Sequence, residues 1–176
     1  MDFERKNNKI VTESITLALI QLMEKKAFDD ISITELTKRA GVGRVSFYRN
    51  FEDKTDVLRH YLNDIQYEFM ASRKQIRHES SFTEYISDLF SHLSNYKELA
   101  KLLLKANMFY LIKEQFDFVF DNLKTTSEEE VALFFLSGGL YNAFYYWASN
   151  NFEESPQRIA ERITCYIQAQ NLVVIK

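Results

Sequence analysis

Proline is nearly missing from this chain, with one residue among 176, and only four glycines accompany it. That scarcity, with few runs of β-branched residues, predicts an almost wholly helical protein. A single cysteine, Cys165, excludes an internal disulfide and gives no sign of an oxidising compartment. It is expected to pack as a small apolar residue within a helix, because no basic cluster adjoins it in sequence to make it a redox sensor. Three histidines, His60, His78 and His92, show neither an H-E-x-x-H pattern nor Cys/His metal spacing, and no glycine-rich loop could cradle phosphate. Serine and cysteine nucleophiles have no identifiable partners. Neither an enzyme nor a cofactor is expected. Glu84, Asp88 and His92 stand at i, i+4 and i+8 and could face a divalent metal, although a solvated charge face is the usual meaning of that spacing.

What is present is apolar and aromatic: 46% hydrophobic residues, with fifteen Phe and ten Tyr. That content can build the core of a small head and a larger helical body. The net charge of −3 divides unevenly. Residues 1–54 hold ten Lys and Arg against nine Asp and Glu, and the remainder holds twelve against sixteen. Met1 to Asn8 is charged where a signal peptide is apolar, so a cytoplasmic protein with a short frayed arm is expected. Arg5, Lys6 and Lys9 of that arm could reach phosphate.

The stretch Ser32 to Lys54, SITELTKRAGVGRVSFYRNFEDK, carries the sharpest local signals. Ser32 with Glu35 forms an S-x-x-E capping box, which opens a helix near Ile33. Ile33, Leu36 and Ala40 repeat at i, i+3 and i+7, and Gly41 falls where a helix ends in the left-handed conformation. The turn Gly41, Val42, Gly43 leads to a second helix over Arg44 to Phe51, with Phe47 and Phe51 inward. A helix, a short turn and a helix with a polar outer face form the helix-turn-helix arrangement, whose second helix enters the major groove. Arg44 suits guanine O6 and N7, Ser46 suits base edges, and Val45 suits a thymine methyl. Tyr48, Arg49 and Lys54 suit phosphate oxygens. Thr34 and Asn50 complete the candidate DNA-binding set, and Lys38 and Arg39 add to the local positive charge.

Ala40, Gly41, Val42, Phe47, Tyr48, Phe51 and Lys54, followed by the apolar Val57 and Leu58, resemble the signature of the tetracycline-repressor (TetR) family of bacterial regulators. The resemblance implies an all-α protein of about nine helices, with a three-helix head, a connecting helix and a helical regulatory and dimerisation domain. The corresponding segments are 1–54, 55–80 and 81–176. It also implies a homodimer on a palindromic double-stranded DNA operator, with a small-molecule effector in the C-terminal domain whose identity the sequence leaves unknown. The alternative is a dimeric sensing module that acts through a protein partner without reading DNA itself.

Around that stretch the apolar spacing predicts further helices. Val11 to Met23 marks a first helix running from about Asn8 to Lys26, and Asp53 caps a helix carried by Val57, Leu58, Leu62, Ile65 and Phe69 to about Arg77. His78 to Ser81 breaks the pattern and is the expected boundary. Helices are then expected at Phe82 to Leu93, Leu99 to Ala106, within Asn107 to Leu123, from the Ser127–Glu130 capping box to Asn150, and after Ser155–Pro156. Val131 to Ala148 contains no charge, yet its acidic flanks and central Gly138–Gly139 argue against a membrane span. A helix apolar nearly all round suggests a subunit interface. Gly138, Gly139, Phe144, Trp147, Ile159, Ile163 and Ile167 are the candidate dimerisation residues, matching the resembling family's use of its last two helices as a four-helix bundle. The dense aromatics between Phe109 and Trp147 are expected to serve core or interface before they line a pocket.

Overall fold

The computed structural model describes residues 2–74, 81–121 and 127–169. Among the described residues lie nine α-helices, two short 3-10 turns and no strand. The helices are α1 (Asp2–Met23), α2 (Ile33–Ala40), α3 (Arg44–Asn50), α4 (Lys54–Lys74), α5 (Phe82–Leu93), α6 (Lys97–Lys105), α7 (Tyr110–Asp121), α8 (Ser127–Ser149) and α9 (Pro156–Ala169). The chain divides into two compact units, Met1–Asp64 and Ile65–Lys176. Apart from Ser81, the expected boundary at residues 78–81 lies outside the described residues, as do the side chains of Arg5, Lys6, Phe120 and Ser127.

In the first unit, α1 packs on α2 and α3, and Ile15, Leu19, Leu36, Phe47, Val57 and Leu58 are sealed in its core. Burying each such side chain contributes about 1.5–3 kcal/mol, far more than helix propensity supplies to an element as short as α3. Helix α1 begins at Asp2, which corrects the expectation of a loose arm to Asn8. Glu4, Arg5 and Lys6 are good helix formers, and no proline or glycine interrupts them. At α4, the Asp53 carboxylate accepts the Asp56 N–H at 2.8 Å, while Asp56 accepts the Glu52 N–H at 3.0 Å.

In the second unit, α5 lies against α9 and α7 against α8, around a cluster of Phe90, Phe109, Phe144, Trp147 and Phe152. Ser81 and Glu84 form a complete capping box at α5, and Ser155 accepts the Arg158 N–H at 3.2 Å at the start of α9. Asn107 (φ 57°) ends α6 in the left-handed conformation, and Asn151 (φ 52°) does so for α8. Asparagine adopts that conformation at less cost than other residues with a Cβ. Phe152 follows Asn151 with φ 57°, an uncommon backbone for a bulky residue. It is held by an edge contact with Trp147 at 4.9 Å, while Trp147 Nε1 donates to Glu154 O at 2.9 Å.

Phe144 and Trp147, expected at a subunit interface, lie in this core at 1% exposure each, and Ile159 and Ile167 are buried too. A helix without charges can turn any face inward, and α8 turns these two toward Phe90 of α5 and Phe109 just before α7. Its uncovered face carries Val131, Phe134, Phe135, Tyr145 and Tyr146, with Gly139 exposed among them. A Cβ added at Gly138 or Gly139 would meet no atom within 4 Å, so the chain's own packing does not require glycine there. Beside this face, α8 and α9 border an apolar groove of about 850 Å³ lined by Phe135, Gly139, Tyr146, Ile163, Cys165 and Tyr166. Cys165 is exposed, contrary to the expectation that it packs, because α9 buries Ile159, Ala160, Thr164 and Ile167 instead. No helix among the described residues is long and apolar enough to cross a membrane.

Candidate nucleic-acid interface

The head is built by local rules. Ser32 Oγ accepts the Glu35 N–H at 3.1 Å and caps α2, an interaction that stabilises a helix by about 1 kcal/mol. The expected reciprocal half of the capping box is replaced: the Glu35 carboxylate pairs with Lys26, whose ammonium also donates to Asp30 O at 3.0 Å. A full charge nearby outcompetes a backbone amide for the carboxylate. At the other end Gly41 takes φ 69°, the Val42 N–H reaches Thr37 O at 3.0 Å and the Gly41 N–H reaches Lys38 O at 3.3 Å. That pair of bonds is a Schellman termination, and it redirects the chain within two residues into α3.

Helix α3 is anchored by one face. Phe47 is fully buried, with Tyr48 edge-on at 5.3 Å and Phe51 at 5.9 Å. The opposite face presents Arg44, Val45, Tyr48 and Arg49 to solvent, Val45 at 75% exposure. An apolar side chain so exposed beside two cations on one helix face suits base edges flanked by phosphates. Ser46 is half-buried, and so is Asn50, whose amide donates to Ser46 O at 2.7 Å. Thr34 is exposed on the first turn of α2.

The basic residues divide into two kinds. Lys38, Arg44 and Arg49 are exposed and have no ion-pair partner among the described residues. Arg39 instead donates from Nε and Nη2 to Gln21 Oε1 at 3.0 and 2.7 Å, fastening α2 to α1. Lys54 turns inward, donating to Phe28 O at 2.8 Å and Ile31 O at 2.6 Å with its ammonium 4.6 Å from the Phe28 ring centre.

Residues 15–61, spanning this assembly, match the profile described as bacterial regulatory proteins, tetR family. The head of this chain is of the TetR type. Solved structures share the fold. A protein described as a TetR-family transcriptional regulator from Syntrophomonas wolfei is 16% identical with a TM-score of 0.70, over 96% of this chain and 100% of that one. A TetR transcriptional regulator from Streptococcus agalactiae is 15% identical with a TM-score of 0.65, over 94% and 97%. The dihydroxyacetone kinase operon activator DhaS is 14% identical with a TM-score of 0.61, over 91% and 95%. None of the curated proteins matches the chain.

The TetR-type head thus brings Thr34, Arg44, Val45, Tyr48 and Arg49 to its exterior, while Asn50 and Lys54 spend their polar groups internally. Sequence reasoning missed Lys26 and Gln21, which hold α2 from outside the motif; no short-range pattern announces either. In the second unit, the Glu84–Asp88–His92 row is dispersed. Glu84 accepts the Ser81 N–H at 2.7 Å, Asp88 pairs with Arg73, and His92 Nε2 lies 3.1 Å from Ile65 O. No group of three metal-ligating residues occurs among the described residues.

Proposed function

We propose that this chain is a homodimeric, sequence-specific DNA-binding regulator that represses transcription until an effector bound within residues 65–176 releases it. The observation that carries the reading is the outward face of α3, where Arg44, Val45, Tyr48 and Arg49 stand exposed on a helix pinned by Phe47. Two such helices in successive major grooves, about 34–36 Å apart, would read an inverted repeat. Dimerisation through α8 and α9 is supported by the uncharged aromatic face of α8, the groove beside it and the open backbone at Gly138 and Gly139. Isolated chains rarely leave large contiguous apolar patches in water. Gly138, Gly139 and Ile163 are retained as interface residues, whereas Phe144, Trp147, Ile159 and Ile167 support the interface from beneath.

Effector binding is supported by Gln66 on α4 and Gln115 on α7. Gln66 Nε2 donates to the Gln115 backbone carbonyl at 3.3 Å, yet both side-chain Oε1 atoms are buried without a donor among the described residues. A buried acceptor left unpaired costs about 1–3 kcal/mol, which a ligand N–H or O–H would recover. A tenfold release from DNA needs only about 1.4 kcal/mol of difference in effector affinity between the two states. Selection from random duplex DNA near physiological salt tests the proposal. Enrichment of an inverted repeat is expected, and a folded dimer that enriches nothing would transfer the function to a protein partner.

A further inference from the structure

Lys54 is the first residue of α4, where the unpaired N–H groups of a helix make a positive charge unfavourable. The head resolves this by turning the ammonium away from solvent onto the Phe28 and Ile31 carbonyls and the Phe28 ring. Ile31 immediately precedes the Ser32 cap of α2, so one side chain joins the start of α4 to the start of α2. The twenty-odd residues between these points contain α2, the Gly41 turn and α3. Their ends are closed by charge-assisted hydrogen bonds, which are about twice as strong as neutral ones. Lys26 holds the same loop from the α1 side, through Asp30 O.

We propose that Lys54 is a positioning residue: an internal tether that closes the helix-turn-helix segment and sets the seat of α3, with no phosphate contact of its own. The proposal rests on the DNA-reading function above, and its test separates the two. Lysine acetylation of the full chain, read by mass spectrometry without DNA, should modify Lys54 more than about tenfold slower than exposed Lys38, since reaction requires local opening. The Lys54 rate should not change when the selected operator is added. Equal reactivity of Lys54 and Lys38 in the free protein, or protection of Lys54 only on operator, would overturn the tether.

The salt dependence of operator binding gives a second readout. Lys54→Met, shown to be folded by circular dichroism, should lose about tenfold or more in affinity at every salt concentration. Its log–log slope should equal that of wild type, whereas loss of a true phosphate contact such as Arg49→Ala should reduce the slope by about 0.9. Lys54→Arg should recover part of the affinity. A slope for Lys54→Met reduced as in Arg49→Ala would make Lys54 a phosphate ligand. If wild type binds no duplex, the DNA reading falls, while the free-protein acetylation rates still judge the tether.

Discussion

Helices α3 and α8 both leave a face uncovered, and the two faces differ in what they ask of a partner. On α3 the exposed side chains are Arg44, Val45, Tyr48 and Arg49, whose two cations water solvates well and which together gain most from an ordered array of phosphates and base edges. On α8 they are Val131, Phe134, Phe135, Tyr145 and Tyr146, within eighteen residues that carry no charge. Leaving that face in water forfeits about 25 cal/mol per Å² of apolar surface, so its natural cover is another apolar surface. The backbone follows the same division. Gly41 is needed by the chain itself at φ 69°, whereas Gly138 and Gly139 sit in helix with open space around them.

Four substitutions sharpen or break this comparison. The largest effect is expected for Phe135→Glu, because a charge desolvated on the α8 face without a partner costs about 3 kcal/mol or more. Sedimentation equilibrium should show the dimer dissociating at least about a hundredfold more readily. An unchanged dimer would remove this face from the interface.

Next comes Arg44→Ala, which should weaken operator binding by about 1–3 kcal/mol and erase preference at one base position, measured by anisotropy on single-substituted operators. Equal losses on every sequence would make Arg44 a backbone contact.

Gly41→Ala should destabilise the folded chain by about 1–2 kcal/mol in chemical denaturation, the cost of a Cβ in the left-handed conformation. Gly139→Ala should act in the opposite sense at subunit concentrations that favour monomer, raising stability by about 0.5–1 kcal/mol through a better helix former. The same substitution should weaken the dimer if a partner backbone approaches there. Equal signs for the two alanines in the monomer would undo the contrast between self-required and partner-required glycine.

The sequence made the local stops and starts legible because each is written within four residues. Ser32, Gly41, Asp53 and Ser155 cap or end helices where their neighbours said they would. Ser81 with Glu84 repeats the Ser32 signal inside the expected boundary, and Asn107 and Asn151 end helices in the role usually given to glycine. Illegible features depended on residues distant in the chain. Glu35 found Lys26, Lys54 found Phe28 and Ile31, and Arg39 found Gln21. The facing of α8 was illegible for a different reason. With every position apolar, the pattern has no period to say that Phe144 and Trp147 turn inward while Phe134, Phe135 and Tyr146 turn outward. Cys165 follows from that facing, since it borders the groove that α8 leaves open.

The central claim, that the α3 faces of a dimer read DNA as a pair, is tested most directly by hydroxyl-radical footprinting on the selected operator. The account predicts two protected patches on one side of the duplex, centred about 10–10.5 base pairs apart, both lost together in Phe135→Glu. A single patch, or two patches that persist unchanged when the dimer is dissociated, would contradict it.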